Sequence, residues 1–466
     1  MSPMMNLDQL WGKLRSGAGN NNFNYGLASI AAYLIKNDYE VEILDPQFLA
    51  DQQELITYLQ DGQFDLIGIS SYTPTITEAF TTANVCRRVL PDSTIVLGGP
   101  HCSYFPEETL MGCEAADYVI AREGEETLLE LLRMLEKTEN GPDQILGLTY
   151  RENGQIKSTP PRPFLDVDSL PMPAYHLYPI RKYSLQPTVY KRLPTYTTLV
   201  SRGCPYSCTF CHAFQVLGRK MRYRNVNGVL EELELLIKDH GARGFMFHDS
   251  TFTFDQDWVT RFCEGILRNK LDFTWMCLTR SDRVSTGLLA LMKRAGCYGV
   301  SFGVESANEK SLRLLKKGVS VEQNRIAIRM AKEAGMYVTA TYMIGIPGED
   351  EEDVLNTVRF AKDNPTHIAH FFWPIPLPGT AFYDQCKAVG GLMESPKWEN
   401  FNLYCERPVY VNPKIGLERM RDLQRHAIRS YYTSPRVVAM NLRTINTFTD
   451  VKKYAKAMLA VCGMLK

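Results

Sequence analysis

The sequence carries no excess of either charge: 52 Lys and Arg are matched by 52 Asp and Glu across 466 residues. That balance, with no appended basic module, argues against nucleic acid or an anionic membrane as the partner. No apolar run is long enough to span a bilayer, and the opening MSPMMNLDQLWGKLRSG is not a secretion signal, so a cytoplasmic chain is expected. The 12 cysteines do not make a disulfide framework, because most stand singly in apolar or helical surroundings. Cys86, Cys263, Cys297, Cys386 and Cys462 read as small buried hydrophobes. Nor is there a second cysteine pair of zinc-finger spacing. One thiol-rich stretch is left to account for, GCPYSCTFC at 203–211.

What is present is an alternation of short apolar strands and amphipathic helices. A chain of this length outgrows one hydrophobic core, so two or three domains are expected. In residues 1–150, EVEILD (40–45), DLIGISSY (65–72), STIVLGGP (93–100) and ADYVIARE (116–123) read as strands, with helical segments such as ITEAFTTANVCRRVL and EETLLELLRMLEK beside them. That order predicts a parallel sheet covered on both faces. Such sheets bind ligands beyond the carboxyl ends of their strands. The residues there are small or polar: Ser70, Ser71, Gly98, Gly99, His101, Glu123 and Gly124. A lone GGP is as readily a turn, but three strand ends of this kind point to a bound cofactor.

Residues 151–196, rich in proline and aromatics, predict an ordered connector rather than a floppy linker. Residues 197–380 hold six strand candidates: 197–203, 244–250, 273–279, 298–306, 337–347 and 367–376. Amphipathic helices separate them, which predicts a partial (β/α)6 barrel with its chemistry at the strand C-termini. The triple-cysteine segment falls just beyond the first of these strands. Residues 381–466 are aromatic and mostly helical, a pattern that suits a packed cap and a substrate-contacting surface equally.

Cys204, Cys208 and Cys211 supply three thiols. A structural zinc site wants four ligands, and His212, adjacent to the last thiol, points the wrong way unless the loop folds sharply. An iron–sulfur cube can be held at three irons by three thiolates, leaving the fourth iron open. Gly203 lets the backbone leave the strand, and Pro205 stiffens the loop.

The segment resembles the CxxxCxxC signature of the radical S-adenosylmethionine (SAM) superfamily, including the aromatic Phe210 before the last cysteine. The resemblance covers about 195–380. It implies a [4Fe-4S] cluster on Cys204, Cys208 and Cys211, with SAM chelated at the open iron and cleaved by one electron to a 5'-deoxyadenosyl radical. It also implies an electron donor such as flavodoxin or ferredoxin. Asp249 and Ser250, in FHDSTF, are then candidates for the methionyl ammonium, although one of the family's customary acids is here a serine. Glu305, in SFGVES, resembles the residue that meets the ribose or methionyl end. Gly345, Pro347 and Gly348, in MIGIPGE, resemble the backbone passage along the adenosine, and Pro374 to Pro376 the stretch that reads the adenine edge. A barrel-end salt bridge is the plain alternative for Glu305. Arg280 and His248 lie where they could face the cavity, but nothing in the spacing demands it.

A strand–helix domain ahead of such a core resembles the cobalamin-binding radical SAM enzymes. In these a Rossmann-like first domain lays the corrin over the barrel mouth. The phrases NYGLASIAAYL, YEVEILD, DLIGISSYT, VLGGPHCS and DYVIAREGEETLLELL follow its usual course. Two departures stand out. There is no Asp-x-His-x-x-Gly loop to offer cobalt a histidine, and the short apolar strand that relatives place before SPMMNLDQLWGKL is absent from the 466 residues. The resemblance therefore implies an α/β chain with a Rossmann-like domain, a partial radical SAM barrel and a small helical C-terminal region. Its implied activity is functionalisation of an unactivated carbon in a small-molecule or lipid-like substrate, with C-methylation the leading reaction. Cyclisation, ring contraction or oxidation without methyl transfer is an alternative, as is a radical SAM enzyme with a vestigial first domain. A non-enzymatic three-thiol module is a further one, excluded if reduced protein cleaves SAM.

Overall fold

The computed structural model describes residues 23–136, 141–183, 190–403, 405 and 407–445. Cys462 and the SPMMNLDQLWGKL segment lie outside these. Two sheets organise the chain. The first has the order β1 (Leu66–Ser70), β2 (Thr94–Gly98), β3 (Tyr118–Ile120), β4 (Leu148–Glu152) and β5 (Gln155–Ser158). β1, β2 and β3 run parallel, and β3, β4 and β5 antiparallel. Because side chains alternate along a strand, Ile67, Ile69, Ile95, Leu97 and Val119 meet helix Ile76–Val89 on one face. Val96 and Ile120 meet helix Glu125–Leu135 on the other. β4 and β5 turn at Asn153 and Gly154, both with positive φ (51° and 76°), as a two-residue hairpin loop requires. This hairpin carries the first sheet past residue 150, into the stretch expected to begin the connector.

The strand expected at 40–45 does not form. The segment has no regular structure and no ladder partner among the described residues, and β1 pairs only with β2. Its Val41 and Ile43 still pack inward against the helices. The apolar alternation placed the side chains, whereas a strand also needs a neighbour's backbone groups.

The second sheet has six parallel strands in the order β13–β12–β11–β10–β9–β6. In chain order they are β6 (Thr195–Thr198), β9 (Gly244–Phe247), β10 (Thr274–Thr279), β11 (Cys297–Glu305), β12 (Tyr337–Met343) and β13 (Ile368–Phe372). This is the open six-strand barrel expected. Its helices start on side-chain caps at Asn225, Asp255, Ser285, Ser320 and Asp350, each accepting from a backbone N–H of the first turn. The expected first strand, 197–203, is split. β6 ends at Thr198, and β7 (Ser201–Arg202) pairs antiparallel with β8 (Arg222–Tyr223), so a small ribbon flanks the cysteine loop.

The connector is ordered: the rings of Tyr175, Tyr178 and Tyr183 surround Phe23, and Ala174 N–H donates to Ala28 O at 3.0 Å. Helix Leu417–Tyr432 buries Met420, Leu423, Ala427 and Tyr431 against the barrel's far edge. No helix among the described residues is long and apolar enough to cross a membrane.

Candidate functional site

The cysteine loop is fastened on three sides. Cys204 N–H donates to Gly218 O (2.9 Å), Thr209 N–H to Leu315 O (2.9 Å), and Cys211 N–H to Cys208 O (3.2 Å). Gly203 enters the loop at φ 120°, where a Cβ would stand 2.2 Å from Lys220 O. All three cysteines are free thiols. Burial pushes Cys211 up to about 11, with the neighbouring Cys208 and Cys204 adding to the rise. Burial also raises Cys208, opposed by Lys317 and Arg280. Arg280 Nη1 lies 3.9 Å from Cys208 Sγ, and its guanidinium stacks on Tyr206 at 3.6 Å.

Three thiols on one short loop, with Lys317 and Arg280 beside Cys208, are the donor set a cube takes, because each ligates a different iron. His212, next to the last thiol, packs its ring on Tyr104 at 4.0 Å, and both its ring nitrogens are buried without hydrogen-bond partners.

Asp249 is buried at the end of β9. Its Oδ1 accepts from Val200 N–H (3.1 Å), Ser201 N–H (2.6 Å) and Ser201 Oγ (2.6 Å), so it braces the approach to the cysteine loop. Its Oδ2 has no partner, and burial pushes the carboxyl up to about 6. Glu305 closes β11 at φ 66°, beside a register shift in the β11–β12 ladder. It takes Lys317 Nζ at 2.8 Å, both side chains being nearly buried. Gly303 makes room: a Cβ there would stand 2.4 Å from Glu305 Oε1 and 2.8 Å from Lys317 Nζ.

Two cavities open between the sheets. One of about 250 Å³ lies at the ends of β1, β2 and β3 and reaches β9; Ser70, Gly98, Gly99, Glu123, Gly124, Asp249 and Ser250 all line it. The other, about 400 Å³, gathers Tyr72 and Tyr104 from the first sheet, Phe210 from the cysteine loop, Glu305 and Met343 from the barrel, and Phe401 from the C-terminal region. The glycines keep the first sheet's rim bare. A Cβ on Gly68 would meet nothing within 4 Å, and one on Gly98 only Ile120 O at 3.8 Å. Gly99, at φ 96°, cannot carry one, since Ser71 O would be 2.6 Å away. That open, polar-rimmed edge, continuous with the barrel mouth, fits a broad flat cofactor seated on strand ends.

Other expected residues lie elsewhere. His101 is buried, with Nδ1 3.3 Å from Thr73 Oγ1 and its ring against Phe105 and Trp398, and it lines neither cavity. Burial lowers it to about 4. Ser71 also lines neither; its N–H and hydroxyl both donate to Gly98 O. Gly345, Pro347 and Pro374 are buried outside both cavities. Asn412 Nδ2 donates to the carbonyls of Gly345, Ile346 and Glu349 at 3.4, 2.9 and 3.0 Å and so closes that loop from behind. Glu123 lines the smaller cavity but is engaged by Arg202 (3.1 Å) and Arg222 (2.8 Å).

Tyr72, Tyr104, Lys317 and Asn412 were not singled out from the sequence. Tyr72 had a readable signal, since it follows the strand DLIGIS directly. Lys317 had none, because only the fold brings it to Glu305.

Residues 198–361 match the model of the radical SAM superfamily, and residues 14–132 that of the B12 binding domain. An uncharacterized methyltransferase of Pyrococcus horikoshii is 31% identical over 440 residues, covering 94% of this chain and 93% of that protein. The anaerobic magnesium-protoporphyrin IX monomethyl ester cyclase of Rubrivivax gelatinosus is 28% identical over 389 residues, covering 81% and 68%. Among solved structures, the cobalamin-dependent SAM radical enzyme OxsB, with aqua-cobalamin and SAM bound, superposes with a TM-score of 0.76. It is 18% identical, over 96% of this chain and 69% of that one, which is a likeness of fold.

Proposed function

Because the chain belongs to the cobalamin-binding radical SAM family, we propose that it transfers a methyl group to an unactivated carbon of a small-molecule or lipid-like substrate. The observation that carries this reading is the larger cavity, where Phe210 of the cysteine loop, Glu305 of the barrel and Tyr72 of the first sheet border one space. Bound across the two adjoining cavities, a [4Fe-4S] cluster with SAM would supply a carbon-centred radical, and cobalamin would supply the methyl group.

The chain's own residues have separable tasks. Cys204, Cys208 and Cys211 hold the cluster. Asp249 would accept the methionyl ammonium, with Ser250 beside it; its Oδ2 is buried and unpartnered and both residues line the smaller cavity, which supports that role. Glu305 is held by Lys317 at the cavity wall, where it can meet the ribose. Ser70, Gly98, Gly99 and Gly124 form the rim for the corrin, in a first unit that runs through Ser158. Met343, Phe372, Ile375, Leu377, Phe401 and Leu403 make the remaining wall apolar, which keeps water from a radical and suits an uncharged substrate.

An electron donor such as flavodoxin or ferredoxin, met in the cytoplasm, completes the reading. Arg219 and Lys220, just past the cysteine loop, and Arg313 and Lys316, beside its anchor at Leu315, are exposed and have no carboxylate partner among the described residues. That rim suits an acidic carrier.

The test is anaerobic turnover of candidate metabolites with SAM, cobalamin and reductant, read by mass. A methyl gain that depends on Cys208 is expected. Cleavage of SAM with a cyclised product and no methyl gain would favour the second reading, which the cyclase relative motivates. No SAM cleavage at all would contradict both.

A further inference from the structure

The larger cavity has an apolar wall and a polar floor. Side chains alternate along β12 and β13. Ala340, Tyr342, Ala369 and Phe371 belong to the main core, with the covering helices, so Thr341, Met343, His370 and Phe372 face the inside of the barrel. Thr341, Met343 and Phe372 line the cavity. His370 is paired in register with Thr341, so the two side chains stand abreast, one layer below Met343 and Phe372. Both keep accessible surface in the middle of otherwise buried runs, and neither has a side-chain hydrogen-bond partner among the described residues. On the other side of Thr341 stands Gly303, over which Glu305 and Lys317 close their ion pair.

This floor discriminates by charge as well as polarity. Among the described residues no lysine or arginine lines the cavity, and the one carboxylate that does, Glu305, is held by Lys317 at 2.8 Å. An anion would find no counter-ion there, and a cation only a neutralised acid. Enclosure by protein pushes His370 down to about 4, so its imidazole is neutral at pH 7, with one N–H donor and one acceptor nitrogen. The Thr341 hydroxyl beside it can also donate or accept. A hydroxyl group does both and would satisfy the two side chains at once. Of the other polar groups in the lining, Thr73 Oγ1 is 3.3 Å from His101 Nδ1, and Tyr72 and Tyr104 belong to the first sheet's side.

We propose that His370 and Thr341 determine substrate specificity, by recognising a hydroxyl group on an otherwise apolar molecule. The inference rests on the reading of this cavity as the substrate chamber. It narrows the substrate to an uncharged alcohol, whose apolar frame would meet Met343, Phe372, Ile375 and Leu377. A carboxylate or an amine in the same place would be buried without a partner of opposite charge.

The test measures equilibrium binding of 1-octanol, octanoate and octylammonium to the anaerobically reconstituted protein with SAM, by dialysis at pH 7. The alcohol is expected to bind at least about tenfold more tightly than either ion. His370→Phe, which keeps a ring without its polar atoms, should remove most of that preference, and His370→Asn, which restores a donor and an acceptor, should recover it. Thr341→Val, a change of hydroxyl to methyl, carries the same test if His370→Phe does not fold. Absent binding of the alcohol, either ion bound as tightly, or a preference that survives both His370→Phe and Thr341→Val would overturn the inference. Loss of the preference in Tyr104→Phe instead would assign the hydroxyl to the other wall and likewise overturn it. A preference that depends on His370, in protein that cleaves SAM but methylates no candidate, would support the inference and remove the methylation reading.

Discussion

Replacing Arg202 with methionine strands a buried charge between the two sheets. Arg202 ends β7 and reaches back to the first domain, with Nη1 3.1 Å from Glu123 Oε1 and Nη2 2.7 Å from Glu125 Oε1 and 3.1 Å from Ser29 Oγ. Side-chain exposure is 12% for Arg202 and 3% for Glu125. After substitution Glu123 keeps Arg222 and the N–H of Leu165, whereas Glu125 keeps Ser29 at 2.9 Å and its own N–H, with no cation. Removing one partner of a buried pair costs about 3–5 kcal/mol. Burial drives Glu125 upward, but Arg202 outweighs it and holds the carboxyl below its ordinary value.

The wild-type pair thus stabilises fully above the ordinary carboxylate pKa, and its contribution is lost as pH falls through the folded value, below about 4.3. In Arg202→Met burial is opposed only by the hydrogen bonds from Ser29 and from Glu125's own N–H, so Glu125 takes up a proton more readily and the defect shrinks from pH 7 toward pH 5. Urea unfolding followed by Trp258 and Trp275, both buried in the barrel, reads this directly. Adding Glu125→Gln should recover more than half of the loss at pH 7. A loss under about 1 kcal/mol at both pH values would mark a solvent-screened pair and refute the reasoning.

Other consequences are as specific. Asp249, raised to about 6, costs stability once ionised, about 3 kcal/mol for a shift of some two pH units; stability should fall as pH rises from 4 to 6, and Asp249→Asn should flatten that slope while weakening SAM about tenfold in equilibrium binding. Gly203→Ala, with Lys220 O 2.2 Å from the new Cβ, should cost about 1–3 kcal/mol of loop strain and lower the iron content after reconstitution; unchanged iron would show that the loop can shift. Reversing Arg219, Lys220, Arg313 and Lys316 to Glu should slow cluster reduction by flavodoxin at least tenfold and leave reduction by photoreduced deazaflavin unchanged. Equal slowing with both reductants would remove the docking role of the rim.

Much of this was legible because it is local. Three thiols at fixed spacing after a strand, and six apolar runs between amphipathic helices, need no distant partner to be read. What escaped depends on residues far apart in sequence. Residues 40–45 have the alternation of a strand but no ladder partner among the described residues. Glu123 reads as a strand-end cofactor residue until Arg202, 79 positions on, claims its carboxylate. Gly345 sits in a glycine-rich turn that looks poised for a ligand, yet Asn412 reaches its carbonyl from 67 positions away. The pairing of Lys317 with Glu305 needs a bare Gly303 and a left-handed backbone at the acid, which no period in the sequence announces.

The central claim is that one cleft serves an iron–sulfur cluster, SAM and a corrin together. Anaerobic reconstitution with iron, sulfide and hydroxocobalamin, followed by gel filtration and the absorption spectrum, tests it most directly. The account predicts co-elution of one corrin with each cluster-bearing chain, with cluster absorbance lost in Cys208→Ala and corrin retained. A chain that takes up its cluster but never a corrin would contradict it.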